Sequence, residues 1–432
     1  MGIDSGGSGP SAMTAVLRLR ANRPSARIAW RMVGLAFISQ GVAYGMTFGL
    51  AGTFVGPAEQ DFHAGRAASA LGVSLVALLH GVLGPVVGRW LAHGSVRTVM
   101  TLGAILMAAA YVVMYLAPYV WMFSIGFGVL GGAAVSCLGV TPVTTLVGRW
   151  FPENSGRALG LANMPILVTV LPVIGGFITA HYGWRITALC VALAALSLVP
   201  LFRLVRDPPD SPKLSESHRV LSESVTVHGF APTTVRFRPD LQFWLLVLGV
   251  GLLDGSGITI ITHVVPYATE IGIPYQQATL LVSVMGLFGL GGAPLLGLLA
   301  DRIGGAYTLA LVAALLFLGW LGYTLQPPFV VVASITALLG FCGSAFAGLI
   351  GATLANRYPG PRLGPAVGLA VLTALPFNFA LPLLAGFVHD RTHAYQWTFY
   401  YQLGLLAVAA AMFLAVARTV SRARSASLSP DM

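Results

Sequence analysis

What most constrains this chain is where its charge is missing. Asp, Glu, Lys and Arg make up only 9% of its 432 residues, against roughly 25% in an ordinary soluble domain. Twelve apolar stretches run near 32–55, 67–91, 98–117, 120–147, 156–180, 184–202, 241–267, 276–300, 307–325, 329–355, 363–388 and 396–417, and they hold arginine only towards their ends. Each matches the length of about 20 apolar residues that crosses a bilayer core. With a mean hydropathy of +0.82, the pattern excludes a soluble fold and predicts an all-α membrane protein of twelve transmembrane helices. Inside the stretches stand one acid, Asp254, and two histidines, His80 and His263. A charge at the bilayer centre costs at least ~2.5–3.5 kcal/mol, so one that is kept is a functional candidate.

The net charge of +10 would suit an anionic partner until the basic residues are placed. With the N-terminus in the cytoplasm, 21 of the 24 Lys and Arg residues fall on that side, and Arg66, Arg185 and Arg391 fall on the other. Such an asymmetry predicts both termini cytoplasmic and makes the basicity a signal of topology rather than of a nucleic-acid partner. The excess of arginine over lysine, 23 to 1, favours a bacterial inner membrane. Cys137, Cys190 and Cys342 all sit in apolar stretches without metal-ligand spacing, so neither a metal site, a cofactor nor a disulfide framework is expected. The first apolar stretch is too long for a cleaved signal core. Residues 1–13, rich in Gly and Ser, read as a disordered tail.

The longest polar interval divides the chain. The expected organisation is a cytoplasmic N-terminal tail (1–30), a six-helix bundle (31–203), a central cytoplasmic loop (204–240), a second six-helix bundle (241–418) and a cytoplasmic C-terminal tail (419–432). The halves repeat at an offset of roughly 209 residues, as in transporters whose halves are related by an axis along the membrane normal. Arg149-Trp150 aligns with Arg357-Tyr358, Ala158-Leu159-Gly160-Leu161-Ala162 with Ala366-Val367-Gly368-Leu369-Ala370, and Gly176 with Gly386 after a two-residue slip. Small residues crowd several stretches and allow helices to approach closely.

Gly297-Leu298-Leu299-Ala300-Asp301-Arg302-Ile303-Gly304 resembles the helix 8–9 loop signature of the major facilitator superfamily. The matching loop of the first half, Gly88-Arg89-Trp90-Leu91-Ala92-His93-Gly94, lacks the Asp. The resemblance covers essentially the whole chain and implies two pseudo-symmetric six-helix bundles, with Gly297, Asp301, Arg302 and Gly304 forming a conformational latch. Within the superfamily, His263 to Ala268, Glu270 to Ile273 and Arg149-Trp150-Phe151 are most similar to the monocarboxylate-porter and oxalate/formate-antiporter group. That group uses membrane-embedded basic residues, one of them in helix 8, to hold a carboxylate. Here no span offers one, so a fixed cationic anchor is absent.

The candidate residues follow from polarity inside the membrane. Asp254 and His80 are candidates for proton coupling. Ser256, Thr259, His263 and Tyr267 recur at i, i+3, i+7 and i+11, one face of a helix, and could line a solute path or serve as interhelical glue. Asp254 lies half a turn away from them. Either the Gly255-Ser256-Gly257 stretch breaks the helix, or the two groups do different jobs. The resemblance places helices 1, 4, 7 and 10 around a central cavity, which adds Gln40, Tyr44 and Thr141. Asn163 and Asn378 are uncharged polar groups near prolines.

The leading function is a secondary active transporter of a small organic solute, a monocarboxylate or related acid among them, working by alternating access with proton coupling, and monomeric in the bilayer. A pump for hydrophobic or aromatic compounds is the alternative in that class; a transporter-like solute receptor is the alternative outside it. No Gly-Lys-Ser/Thr phosphate loop supports coupling to ATP. An enzyme is not expected, because Ser256 has no base in reach along its own helix.

Overall fold

The computed structural model describes residues 26–151, 155–207, 239–358 and 362–427. Most of the expected N-terminal tail, the interior of the central loop and the last residues of the C-terminal tail lie outside them. The described residues contain eleven helical stretches long and apolar enough to cross a membrane. In chain order they are α1 (Arg27–Phe62), α2 (Arg66–Leu91), α3 (Val96–Leu116), α4 (Val120–Trp150), the stretch Ala158–Phe202, α7 (Leu241–Glu270), α8 (Tyr275–Ile303), α9 (Gly305–Tyr323), α10 (Phe329–Leu354), α11 (Pro365–Thr392) and α12 (Gln396–Thr419). The stretch Ala158–Phe202 is two spans. At Gly183 the backbone turns to φ 83, ψ 160, which no helix accommodates and which glycine adopts without a Cβ penalty. Residues 158–182 are therefore α5 and 184–202 are α6, which makes twelve.

Two hydrophobic cores form, one from residues between Met32 and Val205 and the other from residues between Phe243 and Ala417. Each half thus buries its own apolar faces. The outside is apolar too: Val82, Leu193, Leu196, Leu295, Leu298 and Leu318 are all exposed. Exposed aromatics flank that belt at two levels. Trp30, Trp90, Trp244 and Tyr307 lie at the face towards which the chain ends run, here the proximal face, and Tyr119, Trp121, Tyr182, Trp397 and Tyr400 lie at the distal face. Amphipathic rings collect at both membrane–water boundaries, so the molecule carries its own record of a bilayer.

Two spans are bent for identifiable reasons. In α4, Pro142 has no N–H for the Leu138 carbonyl, the helix breaks at Gly139, and Ser39 Oγ of α1 donates to Leu138 O instead at 2.6 Å. In α1, residues Gly45–Gly49 form a π-helical turn; the Leu50 N–H reaches back to Gly45 O, and Tyr111 Oη of α3 donates to the Met46 carbonyl thus set free. Such π-turns are frequent at functional sites.

The helix ends differ from the sequence expectation at the distal face. The helix of α1 runs to Phe62, seven residues past 55, and the following turn is only His63 to Gly65. Ion pairing explains the extension: Glu59 pairs with Arg66 at 2.8 Å and Asp61 with Arg185 at 2.9 Å, so these acids are accommodated on helix that projects beyond the apolar belt. At the proximal face the repeated arginines do equivalent work. Arg149 binds Asp207 at 2.6 Å and Arg357 binds Asp240 at 2.9 Å, so the two ends of the central segment are each tied to the half they adjoin.

Candidate functional site

The halves touch along three helix pairs. Val265 of α7 packs on Gly52 of α1, Leu375 and Gly386 of α11 pack on Gly81 and Ala67 of α2, and Thr279 and Gly286 of α8 meet Gly176 and Thr169 of α5. These contacts run from the distal face to mid-depth. Further towards the proximal face a side chain added at Gly160, Gly297 or Gly368 would meet nothing within 4 Å. The hydrogen bonds agree. Tyr275 Oη donates to Thr53 O at 2.7 Å, and a cluster forms around Arg66, both at the distal face. The molecule is closed distally and parted proximally.

Asp254 stands where these surfaces meet. Helix α7 continues unbroken through Gly255-Ser256-Gly257, which settles the alternative left open above. Counting 100° per residue, Asp254 shares a face with Ile258, Ile261 and Val265, which reach the first half. It lies about 20 Å along the helix from Leu241, given a rise of 1.5 Å per residue. Its carboxylate Oδ2 accepts from Asn378 Nδ2 of α11 at 2.7 Å. No Lys or Arg pairs with it among the described residues. From the first half, Tyr44 of α1 brings its hydroxyl within electrostatic reach of Asp254. Tyr44 Oη is 3.1 Å from His80 Nε2 of α2, and its ring rests on Gly139 at the break in α4. Tyr44 immediately precedes the π-turn of α1, so that turn and the Gly139 break in α4 meet at this one side chain. Gln40 lies one turn earlier, with a buried Oε1 that receives no hydrogen bond.

The structure therefore brings together Tyr44, His80, Asp254 and Asn378, with Gln40 one helix turn from Tyr44. It separates the others. Thr259 donates to Gly255 O, His263 is held between Tyr395 Oη at 3.0 Å and Pro382 O at 2.9 Å, and Tyr267 donates to Tyr323 O. With Ser256 these residues are buried inside the second half. The stripe on α7 is bundle core because its face of the helix is the one turned away from the first half. Thr141 is buried beside the α4 break, where its carbonyl accepts from Thr144 and Thr145. Asn163 donates to Leu159 O at the interruption before α5 continues at Ile166. Asp301 and Arg302 are exposed at the proximal end of α8 and pair with no described residue.

A distal cluster was not anticipated. Arg66 Nε binds Glu59 at 2.8 Å within its own half, while Arg66 Nη1 binds Glu270 at 2.9 Å across the divide. His389 Nε2 sits 3.0 Å from Arg66 Nη1 and 2.8 Å from Glu270. One nitrogen can accept from the guanidinium or donate to the carboxylate, but not both. Asp390 of α11 accepts from the Arg66 and Ala67 N–H groups at 2.7 and 3.1 Å. It caps α2, whose own N-cap residue, Gly65, has no side chain to do so. The sequence offered Arg66, one of three distal arginines, and Glu270, in the stretch carrying the family resemblance, but not their pairing; the cluster's partners lie as far as 324 residues apart. An open hollow of about 740 Å³, lined by Gln60, Asp61, Thr269 and Tyr275 among others, also lies between the halves at this face, away from Asp254.

Twelve spans in two separately cored halves, meeting around a mid-membrane acid, define a polytopic transporter. The chain belongs to the major facilitator superfamily, whose model matches residues 36–337 and 249–430. It is 26% identical over 358 residues to the uncharacterized MFS-type transporter YcxA of Bacillus subtilis, covering 79% of this chain and 84% of that one. It is also 26% identical over 406 residues to monocarboxylate transporter 6 of Mus musculus, covering 88% and 85% respectively. Among solved structures it is similar, with a TM-score of 0.70 and 15% identity over 92% of this chain and 98% of the other, to a bacterial homologue of the human lysosomal transporter Spinster in an inward-facing, unoccupied conformation. The protein is thus a multi-pass membrane transporter of small solutes and not an enzyme.

Proposed function

We propose that the protein is a secondary active transporter that moves a small organic solute by alternating access, with Asp254 as its proton-coupling group and with both termini in the cytoplasm of a bacterial cell. The observation that carries this reading is the placement of Asp254: mid-membrane, on the face of α7 turned to the other half, with one amide and, among the described residues, no cation for a partner. Burying such a charge is expensive, and taking up a proton removes the expense when the site closes. The distal contacts and the proximal parting support alternating access, since rocking one half on the other would exchange them. The proximal latch signature at Asp301 lies free on the parted side, where closure would engage it.

The names of the relatives suggest a monocarboxylate. The site has no Lys or Arg to anchor such a solute, and a carboxylate would have to bind through a protonated histidine such as His80, so the reading stops at a small organic solute. The test is accumulation in proteoliposomes under a pH gradient. Asp254→Asn keeps the shape and fixes the neutral form. Gradient-driven accumulation should fall at least about tenfold while binding or exchange survives in part. Normal accumulation by Asp254→Asn would make Asp254 a structural group and pass the coupling role to His80.

A further inference from the structure

We infer that the central site takes a small organic cation with N–H donors, a protonated amine being the simplest, and that Asp254 is its counter-ion. This rests on reading the space around Asp254 as the solute site, and it names what that site selects.

The chemistry is an inventory of donors and acceptors. An ionised carboxylate only accepts hydrogen bonds, so Asn378 must turn Nδ2 towards Asp254 Oδ2, as the 2.7 Å contact shows. That leaves Asn378 Oδ1 as an acceptor, and it is buried without a donor. One helix turn from Tyr44 in the other half, Gln40 Oε1 is also a buried acceptor without a donor. Asp254 Oδ1 has no hydrogen-bond partner among the described residues and is not among the sealed atoms, so it remains accessible. Buried acceptors without donors are uncommon in folded proteins and ask for an explanation. A ligand that supplies several N–H groups provides one.

The surroundings point the same way. Tyr44 and Phe48 stack at 5.9 Å between ring centroids beside the acid, and an aromatic face attracts ammonium and guanidinium groups. An anion, by contrast, would find no arginine or lysine at this depth, only His80 with its Nε2 3.1 Å from Tyr44 Oη, and would meet the Asp254 charge directly. At separations near 4 Å a like or unlike unit charge changes affinity by one to three orders of magnitude at the effective dielectric of a protein site. The side chains gathered here select for positive charge and against negative charge.

The test uses the purified full-length protein in detergent and matched probes. 2-Phenylethylamine, n-butylamine and methylguanidinium are compared with 3-phenylpropanoate and pentanoate by thermal shift, which reports binding by mass action. At least one of the three cations should raise the melting temperature and the carboxylates should not. Asp254→Asn should weaken the cation response at least about tenfold in half-saturating concentration, and Asp254→Glu, which keeps the charge, should restore part of it. Should Asp254→Asn fail to fold, the wild type still decides: cation binding must weaken as the pH is lowered, because proton and ammonium compete for one carboxylate. No response to any cation, an equal response in Asp254→Asn, or stabilisation by the carboxylates alone would overturn the inference. In the last case uptake of those carboxylates would leave the transporter reading intact.

Discussion

Asp390 caps a helix that belongs to the other half of the molecule, so its removal should act on the conformational equilibrium and not on the fold. Asp390→Ala deletes the two hydrogen bonds to the Arg66 and Ala67 N–H groups. Loss of an N-cap side chain costs about 0.5–2 kcal/mol, and loss of a negative charge at a helix N-terminus a further ~0.3–1 kcal/mol. Their sum, about 1–3 kcal/mol, moves an equilibrium constant roughly 5- to 150-fold. Each half keeps its own core, so the whole effect falls on the distally closed state. Gly65→Ala should act by an independent route. Its backbone, φ −66 and ψ 154, accepts alanine, but the new Cβ would lie 2.5 Å from Asp390 Oδ2 and evict the carboxylate. The assay is the distance distribution between spin labels at His63 and Thr392, in a background with the three cysteines replaced, measured by double electron–electron resonance. Both variants should gain a population at longer distal distance while their melting temperatures stay close to the parent. Unchanged distributions in two well-folded variants would refute the reasoning and reduce the cap to a passive contact.

Two further outcomes follow from the proximal face. Asp301→Ala should lower transport about tenfold, the effect of a lost contact worth ~1.4 kcal/mol, at normal expression and melting temperature; an unchanged rate would exclude the latch role. Asp240 should set an acid limit on the second half. Burial opposes its ionisation, but hydrogen bonds from Tyr358, Arg357 and the Phe243 N–H outweigh that and hold its carboxyl below the usual range. A carboxyl depressed in the folded state contributes stability above its unfolded pKa of roughly 3.9, and that contribution disappears as the pH falls through the lower folded value. Asp240→Asn should therefore melt earlier than the parent at neutral pH, with the difference shrinking below about pH 4; a pH-independent difference would contradict the assignment.

The legible and illegible parts of this molecule divide by range. The spans, their number and the two halves could be read because each helix must present about 20 apolar residues to lipid, a local requirement. Asp254 and His80 could be singled out because ionisable groups inside a membrane are rare, and Tyr44 because the family resemblance places helix 1 at the cavity. Which way a polar stripe faces could not be read. Ser256, Thr259, His263 and Tyr267 form a regular face, and only the packing of α7 shows that this face turns into its own bundle while Asp254 turns out of it. The distal cluster was hidden for the same reason. Glu270, His389 and Asp390 each look like ordinary charges at the end of a span, and Arg66 gathers them across the divide.

The single acid at the centre also constrains the direction of exchange. A carrier in which the site passes through a closed state must neutralise Asp254 there, since an unpaired charge in low dielectric is strongly disfavoured. A proton does this, and so does a bound ammonium or guanidinium, but one carboxylate with one free oxygen does not serve both at once. A transporter built this way returns in either loaded form and not empty, so proton and cation move in opposite directions. Symport of a proton with an anion would instead need a basic group at the same depth, and there the spans supply no Lys or Arg, only His80, whose Nε2 lies 3.1 Å from Tyr44 Oη. Methylguanidinium discriminates between these schemes, because a guanidinium keeps its charge at any working pH and cannot accumulate by crossing the lipid as a neutral base. Proteoliposomes with an acidic interior should take it up against its gradient and alkalinise as they do so, and Asp254→Asn should abolish both signals. Uptake driven by an acidic exterior would show proton and cation travelling together, and Asp254 could then carry only one of them.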